Sequence, residues 1–208
     1  MFYKKITILL FLLLLYQSPL LSKSTSFNEF NSKNLSKYFS GIVAFENKKN
    51  SEALDFFKSS KILINRHDPY LEKFIMSLVF DDQVAQAINI IKTNNKKSNS
   101  DFFEAYILLA LDSLKKNNIN KASEVLANVP KYLQKDRFSF IILDSLKQYI
   151  DVFINKKIKK GNQNFGNLSL ISETFQRCYL DDKNTDSFFI KLFNNNESDY
   201  SRYTYFYF

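Results

Sequence analysis

The chain has 208 residues, 45% of them hydrophobic, with three Gly, three Pro, one Cys and a formal net charge of +8. That apolar content is enough for a core and excludes a disordered chain, and so few Gly and Pro argue against a protein of many short strands, so the expected class is all-α. The lone Cys178 excludes an intramolecular disulfide framework, so stability must come from packing, with the thiol expected to be free and buried.

In chain order, residues 1–24 (MFYKKITILLFLLLLYQSPLLSKS) place Lys4 and Lys5 ahead of an apolar stretch over 6–16 and a polar, Pro-containing tail. This is the layout of a secretory signal peptide, with cleavage expected after Ser24, and the stretch is shorter than the roughly 18 to 20 residues that span a bilayer. The expected location is therefore the periplasm or cell envelope. The alternative is an inner-membrane protein anchored by an uncleaved N-terminal segment. Without Lys4, Lys5 and Lys23 the charge falls to about +5, with one local run at 156–160 (KKIKK). Nucleic acid is not expected as a partner at that density, whereas weak peripheral attraction to an anionic membrane surface is.

The next segments alternate amphipathic runs with polar turns. Helices are expected over 35–46 and 52–63, separated by NKKNS. Asp68 is a candidate N-cap with Pro69 in the first turn, and a turn at Asp81-Asp82 leads to a helix over 83–92. Ser100 or Asp101 is expected to cap a helix to 115, KNNIN to turn the chain, and a helix over 121–127 to end before Pro130. One pattern recurs through these pairs: Gly41, Ala53 and Phe57, then Ile75, Ala87 and Ile91, then Ala110, Ala122 and Leu126. The central Ala residues are 34 and 35 positions apart, the period of stacked helix-turn-helix units.

On these residues the chain resembles the tetratricopeptide repeat proteins, of the exported bacterial type. Ile75 departs from the family's small residue, and Ala44, Leu78 and Ser113 stand where an aromatic often follows. The resemblance implies an α-solenoid of antiparallel helix pairs in a right-handed superhelix. Residues 25–134 would hold three copies (34–66, 68–99 and 102–134), followed by degenerate helical repeats over 135–208. It also implies that the first helices line a concave, protein- or peptide-binding groove. By register the partner-binding residues would be Tyr38, Ile42, Phe45, Met76, Val79, Ile107 and Leu111, flanked by Glu72 and Leu114. These positions are mostly apolar and lack the basic and Asn side chains with which some relatives clamp a carboxylate, so the expected occupant is an amphipathic helix or the chain's own later helices. The alternative is that they are core beneath the C-terminal half.

After Pro130 the period decays. Asp136 can cap a long stretch that is either a degenerate pair or one packing helix, and GNQNFGN (161–167) is the clearest loop. Further helices are expected over 168–179, 186–193 and 199–208. The aromatic ending YSRYTYFYF suggests either a truncated member of a longer array or a helix that packs on another chain.

Chemistry has thin support. The one His, His67, lies in the turn NRHDP, the acid pairs Asp81-Asp82 and Asp181-Asp182 lie in expected turns, and metal-protease, paired-Cys, phosphate-loop and Gly-x-Ser-x-Gly motifs are missing. The sequence therefore predicts a non-catalytic scaffold with no cofactor and no metal. The alternatives are a membrane-anchored structural module, or the N-terminal part of a larger enzyme or assembly factor.

Overall fold

A computed structural model describes residues 31–94, 101–134, 136–161 and 163–194; the expected signal peptide and the helix expected over 199–208 lie outside them. Nine α-helices and no strand occur among the described residues, which agrees with the all-α expectation. None of these helices is long and apolar enough to cross a membrane. The chain divides into two compact units, one ending at Leu63 and the other beginning at Ile64.

The first unit contains α1 (Ser32–Glu46) and α2 (Asn50–Ser59). The Asn31 side chain accepts from the Lys33 N–H at 2.9 Å, which satisfies one of the orphan donors at the start of α1. The two helices pack through a small-against-large contact. Gly41 is buried, and a Cβ built on it would lie 2.9 Å from Cε1 of Phe57. A helical Gly often admits a neighbouring backbone; here it admits the Phe57 ring. The Tyr38 ring lies 5.9 Å from the same ring, and Ala53 and Phe57 are fully buried. α2 stops at Ser59, short of the expected 63. The Ser59 and Ser60 hydroxyls donate to the Phe56 carbonyl at 2.8 and 2.9 Å, a local alternative to the helical ladder, and the chain continues as the 3₁₀ turn Lys61–Asn65.

The second unit runs through α3 (Asp68–Phe80), α4 (Val84–Asn94), α5 (Phe103–Lys115), α6 (Ile119–Ala127), a 3₁₀ turn (Lys131–Gln134), α7 (Arg137–Asn155), α8 (Asn167–Tyr179) and α9 (Thr185–Phe193). Asp68 proves to be the first helical residue of α3, with His67 at the extended cap position and Pro69 in the first turn. At α5 the cap position belongs to Phe102, because the Asp101 carboxylate accepts from the Tyr106 hydroxyl. Asn118 and Asp136 are conventional caps, accepting from the N–H groups of Lys121 (3.0 Å) and Ser139 (2.8 Å). Between the two alternatives for the stretch after Asp136, the structure has one 19-residue helix, α7. α5, α6 and α7 share a core of Phe103, Ala110, Ala122, Leu126, Val129, Leu143 and Ile150. A smaller cluster joins α8 to α9, where the rings of Phe175 and Phe189 meet edge-on at 5.9 Å.

All nine positions of the recurring sequence pattern are buried. The turns within the three pairs also share one geometry. Lys48, Asp82 and Asn117 have φ of 59°, 59° and 56°, and each N–H donates back to the carbonyl three residues earlier. The following N–H of Lys49, Gln83 and Asn118 donates to Ala44, Leu78 and Ser113 at 3.0, 2.8 and 2.9 Å. This is the Schellman closure, in which a left-handed residue lets the chain reverse while two helix-end carbonyls stay bonded. Asp181 (φ 52°) repeats it between α8 and α9, with Asp182 donating to Arg177 at 3.0 Å. The acid pairs thus do serve turns, largely through the backbone conformation of Asp82 and Asp181.

Two stability predictions follow from these contacts. Gly41→Val should lower stability by about 1 to 3 kcal/mol through overpacking against Phe57, read as a reduced urea midpoint. Lys48→Gly should raise it by up to about 1 kcal/mol by relieving the left-handed penalty of a side chain with a Cβ, and Asn117→Gly should gain less because Asn tolerates that conformation.

Candidate functional site

The side chains expected to line a groove differ in placement. In the first unit, Tyr38 is buried against Phe57, whereas Ile42 and Phe45 are half-buried. In the second unit, Glu72, Met76 and Val79 are half-buried on α3. On α5, Ile107 and Leu114 pack against the core shared with α6 and α7, but Leu111 is 46% exposed next to Ala110, which is 1% exposed. α5 therefore buries its small marker residue and leaves a large apolar side chain open to solvent.

Another face of α5 carries charge. The Asp112 carboxylate accepts from Lys92 Nζ of α4 at 2.7 Å and from Lys116 Nζ at 2.8 Å. The hydrogen bonds from Lys116 and Lys92 hold its carboxyl below the usual carboxylate range. Both Lys residues border a cleft of about 670 Å³, as does Tyr106, whose hydroxyl is pushed up to about 12 by burial and by its bond to Asp101. A carboxylate satisfied twice and a phenol kept protonated form a structural polar seam, with neither group poised as a base near neutral pH.

The most unusual polar construction lies between α7 and α8. Asp144 and Gln148 are one turn apart on α7, as are Ser172 and Gln176 on α8, and all four are buried. Gln148 Nε2 donates to Asp144 Oδ2 at 2.7 Å, and the Ser172 hydroxyl donates to Gln148 Oε1 at 3.3 Å. Gln176 Nε2 donates to Ser172 Oγ at 3.1 Å, and the Lys159 backbone N–H donates to Gln176 Oε1 at 2.8 Å. The ladder crosses from one helix to the other and ends on the chain that connects them. Gly161 passes directly over it: a Cβ there would lie 2.5 Å from Gln148 Nε2 and 2.9 Å from Asp144 Oδ2. A cleft of about 380 Å³ opens beside the ladder, bordered by Gln148, Gln176, Lys159, Lys160, Gly161 and Leu170 among others.

None of this site was expected from the sequence. The available signal was the pair of polar i,i+4 spacings, Asp144/Gln148 on α7 and Ser172/Gln176 on α8. Cys178 is half-buried, packed beside the Phe189 cluster. His67 is half-buried at the start of α3. Among the described residues no group of three His, Cys, Asp or Glu side chains is arranged to hold a metal ion. No protein-family model matches the sequence, and comparison with curated proteins and with solved structures returns no match.

The Asp112 seam has a pH signature. Its folded pKa is below the unfolded one, so its contribution is complete above the unfolded value of about 4 and is lost as pH falls through the folded value. Asp112→Asn should therefore lower the melting temperature at pH 7, and the gap to the parent protein should close as thermal scans are taken below pH 4. With both Lys side chains half-exposed, the gap should correspond to under about 1 kcal/mol.

Proposed function

We propose that the chain is a non-catalytic helical-repeat scaffold, built like the tetratricopeptide repeats, which binds a partner protein by receiving an amphipathic helix on the apolar face of α5 in its second unit. The architectural support is the recurrence of one buried pattern and one left-handed turn at 34- to 35-residue intervals. The observation that carries the interaction is Leu111: a large apolar side chain, nearly half exposed in the middle of a 13-residue helix whose adjacent Ala110 is buried. An amphipathic partner helix would cover such positions with its own apolar stripe, adding area at roughly 25 cal/mol per Å² before the costs of association. The proposed location is the cell envelope, on the strength of residues 1–24.

A photo-crosslinking side chain placed at position 111 in cells should capture one discrete partner, and the same group at the exposed Glu124 should not. Leu111→Asp should abolish capture from a probe at Ile107 while leaving the melting temperature within a few degrees of the parent. Indistinguishable products from positions 111 and 124, or capture that survives Leu111→Asp, would exclude the surface. The intact mass of the captured chain reads the location as well: loss of residues 1–24 marks export, and their retention marks an anchor.

A further inference from the structure

The chain leaving α7 concentrates positive charge at the protein surface. Residues 156–160 (KKIKK) hold four Lys in five positions, all four exposed, and the exposed Lys147 borders a small hollow together with Lys159 and Lys160. Opposing charge is sparse. Among the described residues Asp151 is the one carboxylate paired with the run, 3.9 Å from Lys159 Nζ, a long and partly exposed contact of little strength. Asp144 borders the same hollow but is buried and accepts from Gln148, and Glu173, on the side of Lys159 and Lys160, is held by Arg177 at 2.6 Å. In the α8–α9 turn the exposed Asp181 is offset by the exposed Lys183. The run therefore keeps a positive surplus. Apolar surface adjoins it: Ile154 is 45% exposed and Tyr179 47% exposed.

We propose that this surface docks reversibly on an anionic lipid bilayer, with the Lys run against the lipid phosphates and the adjoining Ile154 and Tyr179 at headgroup level. Clustered Lys side chains are drawn to such a surface by charge alone, and Tyr is favoured at its boundary. Each Lys is worth about fivefold in partitioning, so four together favour the anionic surface by on the order of a few hundredfold, enough for reversible docking. A single-stranded nucleic acid would need an aromatic face free to stack on its bases. Tyr179 does not offer one: Lys156 Nζ donates to its hydroxyl and lies 4.6 Å from its ring centroid, and the Phe153 ring meets it edge-on at 4.8 Å. The run is also held in place, because the Lys159 N–H donates to the buried Gln176 side chain, so docking need not order the backbone there. The surface is separate from the α5 face proposed for the partner helix, and its test does not read that face.

The test mixes the full 208-residue chain with vesicles of phosphatidylcholine alone or with about 30% phosphatidylglycerol, and reads lysine acetylation by mass spectrometry. Because protection is read residue by residue, attachment through residues 1–24 does not imitate it. On anionic vesicles Lys157 and Lys160 should acetylate at least about threefold more slowly than on neutral ones, and about 0.5 M salt should remove the difference. The exposed Lys58 and Lys131 should acetylate equally on both. Lys157→Gln combined with Lys160→Gln should raise the lipid concentration needed to protect Lys156 and Lys159 by about tenfold or more. Lys58→Gln combined with Lys131→Gln, which removes the same net charge, should leave that protection intact. The proposal is overturned if neutral vesicles protect the run equally, if protection spreads evenly over all exposed Lys, or if the first double variant is protected as the parent is. It is also overturned if a single-stranded oligonucleotide or polyglutamate at equal charge protects the run as strongly as the anionic lipid does.

Discussion

The short helices of this protein each have an apolar stripe that they cannot bury alone, and the chain returns within three residues in the first three pairs, and within five between α8 and α9, to bring a second stripe against the first. The left-handed residue in each turn makes that return possible. Lys48, Asp82, Asn117 and Asp181 all take a conformation that costs a non-glycine residue about a kilocalorie. In exchange, the helix-end carbonyls remain bonded and the next helix starts at once. With the reversal fixed, packing follows: Ala53, Ala87 and Ala122 are all fully buried on the second helix of a pair. Side-chain volume is then distributed differently in each pair. Gly41 makes room for Phe57, whereas the second pair has Ile75 with Ile91 and the third has Ala110 with Leu126. A conserved reversal with variable filling tolerates substitutions that conserve total volume.

The C-terminal helices solve the burial problem in another way. α7 presents Leu143 and Ile150 to the core it shares with α5 and α6, but presents Asp144 and Gln148 towards α8. A buried polar interface is stable only if every group finds a partner, and no buried side-chain nitrogen or oxygen among the described residues lacks one. Such an interface gains less from area than an apolar one, but it specifies register sharply: a slip of one residue on α8 would separate Ser172 from Gln148. Arg177 extends the ordering to the turn, bonding Glu173 at 2.6 Å and Asp182 at 2.9 Å while lying over the Phe188 ring.

Much of this fold was legible in the sequence because its repeat is written in residue size. Small residues 34 and 35 positions apart are a long-range signal that survives the replacement of Gly by Ile75, and helix starts at Asp136 and Asn118 follow from local hydrogen-bonding chemistry. What was not legible depended on competition between equals. Asp68 and His67 are both able to precede Pro69, and Asp101 was diverted by Tyr106, five residues on. The α7–α8 ladder was hidden for a different reason. Gln and Ser are ordinary on a solvated helix face, and only a second helix arriving in register reveals that they are interior. Gly161 looked like loop punctuation, and its steric role exists only through Gln148 and Asp144.

The described residues of the connection between α7 and α8 have no regular secondary structure, yet they are tethered at three points. Lys156 bonds the Tyr179 hydroxyl and lies over its ring, the Lys159 N–H is held by Gln176, and the Phe165 ring meets Phe140 at 6.1 Å. To a protease this segment is therefore less a loop than an extension of the helices. Releasing it far enough to enter a cleaving enzyme means undoing the ladder, so its susceptibility is governed by the separation of α7 from α8 and not by local fraying.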